Sequence, residues 1–198
     1  MQISMYVKNE IRILGWDDGP FKKGSKGTVP VIGTVFRGGS FLDGILRIDV
    51  EIDGFDATKK MIKAINKTRH KDLRVIMLDG ITFGGFNMVD IKELHKKTGL
   101  PVIAITRKKV DMRKFREAMK KLPNFEKRWK VVESAGEFYT IKTGKRGKNI
   151  YFQKIGLTKE DAEKIIRLSA RRSLLPEPLR VSHLIASGIV KGESIGRA

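Results

Sequence analysis

The sequence predicts an α/β fold on a mixed five-stranded sheet. Three antiparallel strands come first and parallel crossover strands follow, flanked by helices and extended at the C-terminus by a helical and hairpin segment. Three observations predict this. Three apolar segments crowd the first quarter of the chain with only short links between them, which suits antiparallel neighbours. A strand–helix–strand pattern follows, and such a unit is a parallel crossover. Finally, acid and glycine recur where strands end, at Trp16-Asp17-Asp18-Gly19, Asp53-Gly54-Phe55-Asp56 and Leu78-Asp79-Gly80. These acids fall at the carboxyl edge, where open α/β sheets place their ligands.

Residues 11–16 read as the first strand, and Asp17-Asp18-Gly19-Pro20 turns it into a Gly-rich loop bearing Lys22, Lys23 and Lys26. Residues 29–36 form the second strand, broken by Arg37-Gly38-Gly39. Residues 41–52 set Ile48, Val50 and Ile52 against Asp49 and Glu51, the alternation of a half-exposed strand. Asp56 is an expected N-cap for a helix over 58–69, with Met61, Ile62 and Ile65 inward. The apolar run 73–78 is the fourth strand, 80–85 a loop and 88–97 a helix. Gly99-Leu100-Pro101 ends that helix and launches a fifth strand at 102–106. A basic helix follows at 111–121, capped by Asp111 and carrying Arg113, Lys114, Arg116, Lys120 and Lys121. Residues 130–142 and 149–154 suggest a hairpin closed by the charged turn 143–148. Thr158-Lys159-Glu160-Asp161 opens a helix to 171, and Pro176 and Pro178 precede a last helix at 178–187, with fraying expected from Gly188. We read residues 1–198 as a single domain, with a core at 10–108 and a basic extension at 109–198.

Charge is the strongest bulk signal. Lysine and arginine number 41 against 22 acids, a net charge of +19, which points to nucleic acid as the partner. A lysine-rich thermophile surface would carry matching glutamate, and this chain does not. No apolar run approaches the roughly 18 residues of a membrane span, no segment has the face of a membrane-surface helix, and the first residues lack a signal-peptide layout. With no cysteine, thiol catalysis and zinc–thiolate sites are excluded, and a cytoplasmic location is expected.

The order of elements resembles the ribonuclease-H-like fold. Met77-Leu78-Asp79-Gly80, Leu100-Pro101-Val102-Ile103-Ala104-Ile105-Thr106-Arg107 and Leu175-Pro176-Glu177-Pro178-Leu179-Arg180-Val181-Ser182-His183 are similar to stretches of endonuclease V. Gly15-Trp16-Asp17-Asp18-Gly19-Pro20-Phe21, Asp53-Gly54-Phe55-Asp56-Ala57-Thr58 and Asp79-Gly80-Ile81-Thr82-Phe83-Gly84-Gly85-Phe86-Asn87 resemble the signature of an archaeal endonuclease V-related family proposed as endonuclease dU. The resemblance covers nearly the whole chain. It implies metal ligands at Asp17, Asp56 and Asp79, a catalytic histidine at His183, and Arg107 where endonuclease V has a lysine. Two departures stand out. The Pro-Tyr-Ile-Pro-Gly wedge of endonuclease V has no counterpart before Asp56, and the histidine after its Asp-Gly is replaced near Gly84-Gly85-Phe86.

The chemistry expected is phosphodiester hydrolysis in DNA or RNA, with deaminated bases (uracil or hypoxanthine) as the target. Clustered carboxylates are costly unless a hard cation neutralises them, which implies Mg²⁺ or Mn²⁺. Asp18 and Asp53 are alternative ligands. Arg37, Arg113, Lys114 and Arg180 are expected on phosphates, and Phe83 and Phe86 on an extruded base. Plainer readings stand beside these. Asp-Gly after a strand is commonly only a turn, Asp56 is a helix cap, the phenylalanines are core, and the histidines, His70 and His95 above all, are structural. Two rival functions follow: a nucleic-acid-binding protein that keeps the fold without catalysis, and a metal-dependent phosphotransferase on a small anion. Against the latter, no Gly-x-x-x-x-Gly-Lys-Ser/Thr loop is present. The sequence leaves oligomeric state open.

Overall fold

The connections decide the sheet. β1 (Arg12–Asp18), β2 (Thr28–Arg37) and β3 (Phe41–Glu51) are joined by short loops and pair antiparallel. Then α1 (Ala57–Lys67) carries the chain across to β4 (Val75–Asp79), which lies parallel to β1. A small hairpin, β5 (Thr82–Phe83) and β6 (Asn87–Met88), precedes α2 (Ile91–Thr98) and β7 (Val102–Thr106), which is parallel to β4. The chain continues through α3 (Met112–Lys120), α4 (Phe125–Ser134), β8 (Tyr139–Thr143), β9 (Lys148–Ile155), α5 (Lys159–Ser169) and α6 (Glu177–Lys191). The computed structural model describes residues 5–143 and 147–194. Among them no helix is long and apolar enough to cross a membrane.

The mixed sheet expected from the sequence is present, with seven strands in the order β3-β2-β1-β4-β7-β9-β8. The predicted hairpin supplies the two extra strands, because β9 pairs antiparallel with β7 and continues the same sheet. Its first arm is corrected: residues 125–134 are helix, and only 139–143 are strand. Phe125, Trp129 and Val132 recur at helical spacing and pack inward. Residues 144–146 of the predicted turn lie outside the described residues. Other differences are small. The helix expected from 88 begins at Ile91, because the Asp90 side chain accepts from the amides of Lys92 and Glu93. The loop expected at 80–85 contains β5, and the last helix continues past Gly188 to Lys191.

Strand alternation gives the sheet two apolar faces. Leu14, Trp16, Ile76 and Leu78 pack with Met61, Leu94 and Val132 of the helices on one side. Ile13, Val75, Met77 and Ile103 pack with Ile165, Ile166 and Leu179 of α5 and α6 on the other. The outer strand β3 is guarded where its backbone faces away from β2: Lys60 Nζ donates to the Asp49 carbonyl at 2.6 Å, and Asp56 Oδ1 accepts from the Glu51 amide at 3.2 Å.

Helix α6 lies against β1 and β2 at close range. Thr34 Oγ1 donates to the Pro178 carbonyl at 2.7 Å, and Ser182 Oγ donates to the Gly15 carbonyl at 2.8 Å. A Cβ on Gly15 would stand 2.6 Å from Pro178 Cβ and 2.7 Å from its carbonyl carbon. Gly15→Ala is therefore expected to destabilise the protein by about 1–3 kcal/mol, measured by chemical denaturation.

Candidate active site

The parallel register pairs Gly15 with Met77 and Trp16 with Leu78, so Asp17 and Asp79 end adjacent strands side by side. By alternation both share the face of Ile13, Val75 and Met77, which α5 and α6 cover. Asp17 is only 5% exposed, and its Oδ2 lies 2.8 Å from Nδ1 of His183 on α6. That bond with Asp17 raises the His183 pKa. Burial, and then the charge of Asp17, pushes the Asp79 carboxyl well above the carboxylate range, with Arg107 opposing. Arg107 follows β7 directly and is close enough to Asp79 and His183 to act on both electrostatically. Asp18 faces the opposite way. Its Oδ2 accepts from the Gly84 amide at 2.6 Å, and burial together with Asp17 pushes it up to about 6.

Asp56 is held by partners of its own. It occupies the N-cap position of α1 without capping it; Asn87 Oδ1 takes the Ala57 amide instead. The Asp56 carboxylate is held by Lys60 Nζ at 2.6 Å and Asn87 Nδ2 at 2.6 Å, and the hydrogen bonds from these two partners bring its pKa down despite partial burial. Asp53, at φ +54°, accepts from the Phe86 amide at 2.8 Å. Among the described residues, no three acidic or histidine side chains are already gathered at ion-binding spacing.

The loops bearing these acids are tied down by a residue the sequence reading did not single out. Arg128 of α4 is 1% exposed. Its guanidinium donates to the carbonyls of Asp53 (2.5 Å), Gly54 (3.0 Å), Phe86 and Pro123 (3.3 Å), and it lies 4.0 Å from the centre of the Phe55 ring. One buried cation thus joins α4 to both loops at this edge.

Several expected contact residues lie elsewhere. Arg37 is at the wrong end of the sheet: it pairs in register with Arg12 at the start of β1, because β2 runs antiparallel, and it binds Asp43 at 2.8 Å. Phe83 is fully buried, since the β5–β6 pairing turns it into the core, and Phe86 packs on Phe115 with ring centres 5.5 Å apart. Phe83 therefore offers no stacking face, whereas Phe86 is half-buried. Arg180 is engaged by Glu177 at 2.6 Å. Arg113 and Lys114 are exposed on α3, as a phosphate track requires. His95 is structural, its Nδ1 2.8 Å from the Leu100 carbonyl.

Across the sheet edge from Asp79 and Arg107, a cavity of about 300 Å³ opens between the sheet and α3–α4. Gly80 and Thr106 line it where β4 and β7 end, Ile81, Phe115, Trp129 and Val132 give it a mainly apolar wall, and Gln153 adds a polar side chain.

The endonuclease dU family profile matches residues 9–190, and the chain belongs to that family. A UPF0215 protein of Methanosarcina mazei is 52% identical over the full length of both chains. The crystal structure of an Archaeoglobus fulgidus protein of unknown function superposes with a TM-score of 0.82 at 41% identity, covering 92% of this chain and 99% of that one. Endonuclease V of Ciona intestinalis, solved with a 24mer DNA containing an inosine followed by a ribo-adenosine, gives a TM-score of 0.55 at 14% identity, covering 87% and 82%. The fold is ribonuclease-H-like.

The environment of Asp18 disfavours its charged form, so the wild type carries that cost above about pH 6 and sheds it on protonation. In EDTA, Asp18→Asn should be more stable than wild type by about 3 kcal/mol at pH 8. The difference should close as the pH falls through about 6 towards 4, read from denaturation midpoints across that range.

Proposed function

We propose that this member of the endonuclease dU family is a divalent-metal-dependent endonuclease that hydrolyses phosphodiester bonds in DNA or RNA at deaminated bases, uracil or hypoxanthine. The observation that carries the reading is the pair of carboxylates, buried Asp17 and half-buried Asp79, at one strand edge, flanked by His183 and Arg107. Two oxygen-donor carboxylates held side by side, with the charged form of Asp79 disfavoured, suit Mg²⁺ or Mn²⁺, which needs only one or two protein carboxylates when substrate phosphate and water complete its shell. Asp17 and Asp79 would hold the ion. When bound, it supplies an activated water and charge neutralisation at the scissile phosphate.

The remaining work falls to the chain's own groups. His183, held by Asp17 and favoured in its protonated form, donates a proton or a hydrogen bond to a phosphate oxygen. Arg107 counters phosphate charge beside Asp79. Exposed Lys22, Lys23 and Lys26 after β1, with Arg113 and Lys114 on α3, attract the polyanion. The cavity beyond Gly80 is of a size and character to take an extruded base.

A second reading, a nucleic-acid-binding protein without turnover, is favoured by the tie of Asp56 to Lys60 and Asn87, which leaves the third expected ligand engaged. It predicts salt-sensitive binding with no cleavage in any metal.

On oligonucleotides carrying one uracil or hypoxanthine, wild type should cut with Mg²⁺ or Mn²⁺ and not in EDTA. Asp79→Ala should lower the single-turnover rate by about 10³ or more, and His183→Ala by about 10²–10⁴. Wild-type cutting by Asp79→Ala would overturn the assigned centre.

A further inference from the structure

We propose that Gln153 is the specificity-determining residue that separates a deaminated base from its parent. The inference rests on the nuclease reading and on the cavity that begins at Gly80, the residue after Asp79. Gln153 lies on β9 opposite Ala104 of β7, is 3% exposed, and lines that cavity. Its Nε2 donates to the Gly136 carbonyl at 2.8 Å. A carbonyl can only accept, so the amide nitrogen must face Gly136 and the side chain is not free to flip. What the amide then offers a ligand is its carbonyl oxygen as acceptor and its second N–H as donor, in one fixed order.

Deamination reverses that order on the base. Cytosine carries an acceptor at its ring nitrogen beside an exocyclic amine donor; uracil carries a ring N–H beside a carbonyl. Adenine and hypoxanthine differ in the same sense. A freely flipping amide can match either pattern, and a pinned one matches a single pattern in a given base pose. For the deaminated base, the ring N–H donates to Oε1 and the exocyclic oxygen accepts from Nε2. Two other polar groups of the lining are engaged: Glu133 Oε1 accepts from Trp129 Nε1 at 2.8 Å, and Thr106 Oγ1 donates to the Lys108 carbonyl at 3.1 Å. The apolar wall grips any ring of the right size, but apolar contact discriminates poorly between isosteric bases, whereas a buried hydrogen-bonding pair does so strongly.

The test measures binding in EDTA by fluorescence anisotropy, using single-stranded oligonucleotides that differ at one central base: uracil, 3-methyluracil or cytosine. The wild type should prefer uracil over both others by about tenfold or more, since 3-methylation removes the ring donor without changing the protein. In Gln153→Leu and in Gln153→Glu, which cannot donate to the exocyclic oxygen, the uracil-to-cytosine ratio should fall towards one. Equal affinity of wild type for uracil and 3-methyluracil, or an unchanged ratio in Gln153→Leu, overturns the proposal. Metal-dependent cutting without any base preference overturns it and leaves the nuclease reading standing. Failure to cut any oligonucleotide in any divalent metal strikes that reading itself.

Discussion

Two carboxylates, Asp17 and Asp79, are forced together because β1 and β4 lie parallel and in register at the centre of the sheet. Neighbouring buried acids resist ionising together, and the surroundings answer that conflict. His183 shares a hydrogen bond with Asp17. Arg107 opposes the rise of Asp79, and Asp18, turned to the other face, is steadied by the Gly84 amide. None of these contacts removes the cost, as the elevated pKa values of Asp18 and Asp79 show. Such a site is unfavourable on its own and favourable once positive charge enters, which is the condition a cation-using phosphate chemistry requires.

The position of His183 depends on backbone contact rather than on reach. Because Gly15 has no side chain, α6 approaches β1 closely, and Thr34 and Ser182 fix its height against the sheet. Arg128 does the equivalent on the opposite face. Its charge is satisfied mainly by carbonyls rather than by a carboxylate, so it orders two loops at once while adding no ion pair to the acidic edge. The segment after residue 108 is therefore structural to the site: α4 holds the loops, β9 supplies Gln153, and α6 supplies His183.

Much of this was legible in the sequence. Alternation and short loops gave β1–β3, the crossover gave β4 and β7, and strand-terminal acids marked Asp17 and Asp79. The rest failed for physical reasons. Residues 130–142 read as a hairpin arm, while the Phe125, Trp129 and Val132 spacing of a helix is the better signal. Arg128 was hidden because a single arginine in a chain of net charge +19 looks like surface. Arg37 was misplaced by ignoring direction: a residue that leaves an antiparallel strand emerges at the opposite rim from its predecessor. Phe83 looked available in a Gly-rich loop until a two-residue pairing turned it inward. Asp56 opens α1, as expected, but its carboxylate is held by Lys60 and by the side-chain amide of Asn87, which is distant in sequence.

The tether from Lys60 to the Asp49 carbonyl has a consequence of its own. An unpaired outer strand is a template on which another polypeptide can add. By occupying one outward carbonyl with an ammonium, while Asp56 takes the adjacent outward amide, the protein denies an incoming strand two consecutive rungs. Chemical modification that strips Lys60 of its charge would release that rung and leave β3 open to fibril-like stacking of one molecule on the next.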